Sequence, residues 1–188
     1  MKKYIPNIYQ KNIYLIDYSK LLSNGINTLL FDLDNTILSP GDKEISPKVK
    51  DLFISLKQKG FKIIIFSNSY KRKVNKYKDY LGVKGVYFAF KPFTKKFKEV
   101  IKKYNLDTKK MAIIGDQLLT DVLGGNKIGI TTILVNPLSD KDSIFTIFNR
   151  SKEKRIMKKL KKEDLFVKGR YYEKMWWLWK YFAKRKTY

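Results

Sequence analysis

The sequence predicts an α/β fold, a parallel sheet with helices on both faces, and three observations predict it. Short apolar runs alternate with helix-length amphipathic segments from Leu29 to Val135, the pattern of β-α-β units whose strands lie side by side. Runs such as Phe61-Lys62-Ile63-Ile64-Ile65-Phe66 are short, β-branched and aromatic, which favours strands over helices. Polar clusters follow four of these runs, and ligands of parallel sheets bind outside the carboxyl ends of the strands.

In order, residues 1–27 carry Tyr4, Ile5, Ile8, Tyr9, Ile13 and Ile16, then Leu21-Leu22 and Gly25. They read as a loosely ordered lead-in and a short helix closed by Gly25. The first strand spans Leu29 to Leu33. Ser46-Pro47 opens a helix, with Ser as N-cap and Pro at the first helical position; Val49, Leu52, Phe53 and Leu56 recur at helical spacing up to Gly60. The strand at 61–66 ends in Ser67-Asn68-Ser69, and a basic helix runs to Leu81 before Gly82. Val86-Tyr87-Phe88 reads as a short third strand leading into Phe90-Lys91-Pro92. A Lys-rich helix over 93–104 puts Phe97, Val100, Ile101 and Tyr104 on one face. Met111 to Ile114 is a fourth strand, broken by Gly115-Asp116. Leu118 to Asn126 suits a helix that Gly124-Gly125 ends, and Thr131 to Val135 is a fifth strand.

Composition narrows the chemistry. The chain has 188 residues, 44% of them hydrophobic, which is enough for one core domain and an appendage. It contains no cysteine and no histidine, so disulfides, thiolate zinc sites, cysteine or histidine nucleophiles and a Ser-His-Asp triad are excluded. Catalysis is left to carboxylates, Lys, Arg, hydroxyls, or a metal bound through oxygen, for which Mg²⁺ is the natural choice. The formal charge of +24 attracts phosphorylated substrates, nucleic acid or an anionic membrane, although solvated lysine faces account for it equally well. No apolar run approaches the ~20 residues of a membrane span, and the basic amino terminus lacks a signal core. A cytoplasmic location is expected.

Leu29-Leu30-Phe31-Asp32-Leu33-Asp34-Asn35-Thr36 is the stretch that gives the chain a chemistry. Side chains repeat with period two, so Asp32 and Asp34 converge, and ionised carboxylates at a buried strand end need a partner or a metal. An Asx-turn would explain this stretch alone. Ser67/Asn68, Lys91 and Asp116 follow other strands at the same edge, and turns do not explain four coincidences. Acids, a hydroxyl and a lysine suit a phosphoryl group held with Mg²⁺. A carboxylate can then attack phosphorus once a dication and an ammonium relieve the repulsion between anions. Asp32 is the nucleophile on this reading, and Asp34 protonates the leaving oxygen and later deprotonates the attacking water.

The set FDLDNT, FSN, FKP and GDQLLTD resembles the four motifs of the haloacid dehalogenase (HAD) superfamily in their order. GDQLLTDVLGGNKIGITTILVNP is similar to the YqeG-like phosphatases of subfamily IIIA. The resemblance covers most of Leu29 to Pro137 and implies a HAD-like (Rossmann-like) sheet. It implies Asp32 as nucleophile and Asp34 as acid/base, with Mg²⁺ held by Asp32, the Asp34 carbonyl and Asp116. It further implies that Ser67 and the Asn68 backbone hold phosphoryl oxygens, that Lys91 neutralises the phosphate and that Thr36 braces the loop. Asp121 would order a metal-bound water or orient Lys91. Gly124-Gly125 does not fit the P-loop pattern.

Neither gap between the first three motifs holds a sizeable cap domain, and an open site favours a bulky or macromolecular phosphomonoester. The reading divides the chain into a core, residues 1–148, and a basic, aromatic-rich helical tail, residues 149–188. On a helix Tyr172, Met175, Trp176, Trp179 and Phe182 form one stripe, with Trp177 opposite. Such a tail suits the core's own sheet edge or a dimer contact, an anionic membrane interface, or stacking on RNA. YqeG-like proteins resemble phosphatidylglycerophosphate phosphatase, so the expected substrate is that lipid headgroup, met by peripheral contact with the membrane. A soluble phosphatase for nucleotides, sugar phosphates or phosphoprotein is the alternative, as is a non-catalytic protein of RNA or the ribosome.

Overall fold

Leu29, Leu30 and Phe31 are fully buried because β2 (Thr28–Phe31) runs down the middle of a sheet covered on both faces. The computed structural model describes residues 1–139 and 144–173. Beside β2 lie β3 (Lys62–Phe66) and then β4 (Lys84–Val86) on one side. On the other lie β5 (Met111–Gly115), β6 (Thr131–Val135), β1 (Ile8–Gln10) and β7 (Tyr172–Glu173). The order β4-β3-β2-β5-β6-β1-β7 is parallel except for β7, which runs antiparallel to β1.

Period two divides the core as the sequence pattern requires. Leu29, Phe31, Ile63 and Ile65 point to one face, with Leu21 of α1 (Tyr18–Ser23), Phe53 of α2 (Pro47–Gln58) and Val74 of α3 (Lys71–Leu81). Leu30, Ile64 and Phe66 point to the other, with Phe97 and Val100 of α4 (Lys95–Tyr104). The ring centroids of Phe31 and Phe53 are 4.8 Å apart, and those of Phe66 and Phe97 are 4.4 Å apart. Burying each such ring contributes roughly 2 kcal/mol. Ser46 occupies the N-cap position of α2 without a side-chain cap, and Pro47 stands at its first turn. Gly82, at φ 60°, closes α3 by donating to the carbonyls of Lys78 and Asp79.

Four expectations are corrected. The lead-in is ordered: β1 pairs with β6, and Tyr9 is buried. A three-residue strand is too short to show a period. The third strand is β4, two residues earlier than expected, because Phe88 turns into the left-handed region at φ 45° and leaves the ladder. Gly124-Gly125 does not end its helix. A π-helical turn, Leu118–Val122, leads into α5 (Leu123–Ile128), which stops at Gly129 with φ 74°. A Cβ on Gly125 would lie 2.5 Å from Thr132 Cγ2 and 2.7 Å from Ile113 Cγ2, so these glycines let the helix press onto the sheet. Tyr172 lies in β7 rather than on a helical stripe, in edge-on contact with the Tyr9 and Phe166 rings. The remainder of that stripe, Met175 to Phe182, lies outside the described residues.

α6 (Ile144–Lys162) follows β6, and Leu160 with Phe166 just beyond it joins Tyr9, Leu118, Val122 and Leu134 in a third apolar cluster. Among the described residues, the segments between the expected motifs form α2, α3 and β4 with their loops, and no further domain covers the sheet edge.

Candidate active site

Strand order reverses at β2, since β3 lies on one side and β5 on the other. The crevice of an open α/β sheet forms at that switch point. Asp32 continues β2 by one residue, its N–H donating to the Ile114 carbonyl at 2.9 Å, and Asp116 follows β5. The chain after Asp32 folds back on itself. Asn35 takes a left-handed φ of 62°, which its short polar side chain tolerates, and its N–H donates to the Leu38 carbonyl at 2.8 Å.

Asp32, Asp116 and Asp121 are buried, and each offers a carboxylate oxygen within 4.8 Å of the other two. Lys91 joins them: its buried ammonium donates to Asp32 Oδ1 at 2.5 Å and to Asp121 Oδ1 at 2.6 Å. The π-helical turn delivers Asp121, whose Oδ2 accepts from the Gln117 N–H and the Thr120 hydroxyl, both at 3.2 Å. Thr36 Oγ1 donates to Asp116 Oδ1 at 3.4 Å.

Ser67 and Asn68 leave β3 on the same side. The Asn68 side chain is committed to the loop of Lys91, accepting from its N–H at 2.7 Å and donating to its carbonyl at 3.1 Å. Ser67 Oγ accepts from the Ser69 N–H at 3.1 Å. Asp34 points to a more open place, where Ser69 Oγ and Lys73 Nζ hold its two oxygens. Asp32, Asp34, Ser67, Asn68 and Lys91 line one cavity of about 720 Å³; Asp121 bonds to Lys91 of that lining, and Asp116 lies within reach of Asp32 and Asp121. The eight residues singled out in the sequence are therefore brought to one edge.

Four further residues were not legible there. Ser69 and Lys73 bracket Asp34 as described. Arg150 of α6 reaches Asp116 Oδ2 through Nη2 and donates from Nη1 to the Asp116 carbonyl at 3.1 Å and to Glu153 at 3.2 Å. Buried Glu153 in turn accepts from the Leu119 N–H at 2.9 Å. α6 thus grips the loop after β5 at three points. An Arg and a Glu three apart in a basic helix look like a solvated pair, and nothing in their spacing marks them.

The electrostatics are those of crowded acids. Burial pushes the Asp32 carboxyl well up; Lys91 opposes this, and Asp121, Asp116 and Asp34 add to it. Burial likewise lifts Asp116 to about 7, against Arg150 and with Asp121. Burial alone would lower Lys91, but the Asp121 and Asp32 carboxylates outweigh it and hold the ammonium charged. Among the described residues, the ion pairs at this sheet edge link five carboxylates (Asp32, Asp34, Asp116, Asp121 and Glu153) to three cations (Lys73, Lys91 and Arg150). With all five ionised the surplus would equal the charge of one divalent cation, and an all-oxygen donor set fits a hard ion such as Mg²⁺. Gln117 Oε1, on the cavity wall, is a buried acceptor without a hydrogen-bond partner among the described residues.

The model of the haloacid dehalogenase-like hydrolases matches residues 37–129. A protein of Bacillus subtilis named "Probable phosphatase YqeG" is 38% identical over 86% of this chain and 94% of its own length. The chain belongs to the haloacid dehalogenase-like hydrolases. Another relative within the reach of this HAD chain is "Phosphatidylglycerophosphate phosphatase 1, chloroplastic/mitochondrial" of Arabidopsis thaliana. It is 28% identical over 76% of this chain, which spans 44% of that relative. Two solved structures share the HAD fold. An uncharacterized protein of Listeria monocytogenes has a TM-score of 0.51 at 18% identity, covering 63% of this chain and 85% of its own. A "predicted HAD-like family hydrolase" from Porphyromonas gingivalis has a TM-score of 0.50 at 14% identity, covering 68% and 98%.

Proposed function

We propose that this HAD hydrolase is an Mg²⁺-dependent phosphomonoesterase that works through an aspartyl-phosphate, with the terminal phosphate of phosphatidylglycerophosphate as its substrate. The observation that carries the reaction is the ring of Asp32, Lys91, Asp121 and Asp116 at the switch point of the sheet. Asp32 is the nucleophile, its carboxylate oxygen forming the bond to phosphorus as the ester oxygen leaves. Asp34, held at the cavity by Ser69 and Lys73, gives that oxygen a proton and then takes one from the water that cleaves the acyl phosphate. Lys91 balances the phosphoryl charge, and Ser67 with the Asn68 backbone N–H receives phosphoryl oxygens. Asp121 fixes the Lys91 ammonium, and Thr36 braces Asp116. Asp32, the Asp34 carbonyl and Asp116 would hold Mg²⁺, which supplies charge neutralisation between carboxylate and phosphate.

The lipid is supported by the open cavity and by the likeness to the plant phosphatidylglycerophosphate phosphatase. No helix among the described residues is long and apolar enough to cross a membrane. The formal charge of +24 and the lipid reading support a place in the cytoplasm, in peripheral contact with the membrane's inner face. The core, residues 1–148, carries the nucleophile. The tail, residues 149–188, adds Arg150 to the site and basic charge toward anionic lipid. Phosphate release measured with Mg²⁺ on phosphatidylglycerophosphate in mixed micelles, beside nucleotide, sugar and protein phosphates, tests this. Turnover of the lipid is the expected result. Release from soluble esters alone overturns the lipid assignment, and binding of RNA without turnover of any ester overturns the enzyme.

A further inference from the structure

Three phenylalanines stand exposed on one loop beside the cavity. Phe88, Phe90 and Phe93 are 42%, 61% and 70% exposed. Phe88 lines the cavity wall, and the Phe88 and Phe90 rings stack at 6.0 Å, within 18° of parallel. The Phe93 N–H donates to the Phe90 carbonyl at 2.8 Å, which keeps the third ring in the same tight loop. Tyr70, 55% exposed, also lines the cavity.

The core does not explain these rings, since they are outside it. Local preference does not either: Phe88 and Phe90 take left-handed φ values of 45° and 51°, where a Cβ crowds the carbonyl and bulky residues are rare. The alternation that turns Ala89 and Lys91 inward turns Phe88 and Phe90 outward. It fixes their direction and leaves their chemistry unaccounted for. Lysines surround the loop. Lys95, Lys96 and Lys98 follow it along α4, Lys127 Nζ donates to the Pro92 carbonyl at 3.3 Å, and Lys73 stands on the cavity wall.

We infer that the loop Phe88–Phe93 is a membrane-docking crest whose rings enter the interface of a bilayer carrying anionic lipid. Aromatic side chains ringed by lysines match that boundary, rings against the acyl edge and ammonium groups against headgroup phosphates. The formal charge of +24 draws the protein to the same surface. Because Phe88 is shared between crest and cavity, docking brings the cavity mouth to the headgroup layer, where a phosphomonoester on a lipid meets Asp32 without leaving the membrane. The inference rests on the proposed phosphatase reading for what enters the cavity, and on the exposed rings and lysines for the surface.

The chain has no cysteine, so Phe93→Cys carries a single environment-sensitive fluorophore cleanly. Ser23→Cys, exposed at the end of α1, is its control at the opposite end of the sheet. Vesicles of phosphatidylcholine and phosphatidylglycerol in equal parts should shift the probe at 93 to the blue and leave the probe at 23 unmoved. Phe90→Ser/Phe93→Ser in the full chain should bind these vesicles roughly tenfold more weakly or worse while turning over a soluble aryl phosphate at the parent rate. An unmoved probe at 93 on vesicle-bound protein, equal vesicle affinity of the double variant, or no vesicle binding by the parent each overturns the crest. Loss of single-stranded RNA retention in the double variant, with no vesicle binding, assigns the rings to base stacking instead. Failure of the parent to hydrolyse any phosphomonoester overturns the phosphatase reading and leaves the vesicle measurements standing.

Discussion

Lys91 and Asp121 form a buried ion pair, Nζ to Oδ1 at 2.6 Å, and the same ammonium reaches Asp32 at 2.5 Å. One cation thus ties the acid at the end of β2 to the acid on the π-helical turn after β5. Removing the cation strands two buried carboxylates, whereas removing Asp121 thins an excess of acids. Lys91→Met should therefore cost about 3–5 kcal/mol of stability and Asp121→Asn much less, as read by urea unfolding. Both should lower kcat. A stability cost for Asp121→Asn equal to that for Lys91→Met would show that the acids are not in surplus.

Asp32→Asn removes the oxygen proposed to attack phosphorus and keeps the shape. Turnover should fall on the order of 10⁴-fold or more, with a Tm no lower than the parent's, because a buried charge is also removed. Mass spectrometry of acid-quenched protein should show a phosphoryl adduct on the parent and none on the variant.

Arg150 holds Asp116 by its side chain and its carbonyl, and Glu153 holds the Leu119 N–H. If Asp116 holds Mg²⁺ as proposed, these are partners that orient a metal ligand, which typically contribute 10–100-fold in metal affinity. Calorimetric titration with Mg²⁺ should show Arg150→Ala binding roughly 10-fold more weakly, and Arg150→Lys recovering little, since an ammonium cannot span both acceptors.

Gly115 ends β5 where a Cβ would lie 2.2 Å from Asp121 Cγ. Gly115→Ala must displace that carboxyl and with it the partner of Lys91. We expect about 2–3 kcal/mol of destabilisation, a fall of about 4–12 °C in Tm, and a lower kcat in the fraction that folds.

Asp116 is lifted from its ordinary 3.8 to about 7. Between about pH 4 and 7 the folded protein keeps a proton that the unfolded chain has released, so this group makes stability fall as pH rises through that window. Without metal, Asp116→Asn should gain on the parent from about pH 5 to about pH 8 in thermal unfolding. Mg²⁺ should raise the parent's Tm more at about pH 8 than at about pH 5.5, because protons compete for the same oxygens.

The sheet and most of the site were legible because each rests on a short-range rule. The Asp-x-Asp spacing at the strand end brought Asp32 and Asp34 to one cavity, although Asp34 turns to Ser69 and Lys73, and strand ends placed Ser67, Lys91 and Asp116 on one edge. What stayed hidden depends on contacts distant in sequence. β1 has three residues, and only its partner β6 defines it as a strand. Gly124-Gly125 carries the letters of a helix stop, yet it lies inside α5, where Thr132 and Ile113 leave no room for a side chain at 125. Arg150 and Glu153 sit in a run of lysines, and only the loop they grip gives them a role.

β1 has β6 on one flank and β7 on the other, and Asn7 beside it bonds to Thr132 across a separation of 125 residues. A ribosome adds roughly 5–20 residues per second, so about 6–25 s pass after Ile8–Gln10 is synthesised before its first neighbour exists. For that interval Ile8 and Tyr9, both buried in the finished sheet, have no strand to pair with, and a chaperone that shields nascent chains can hold them.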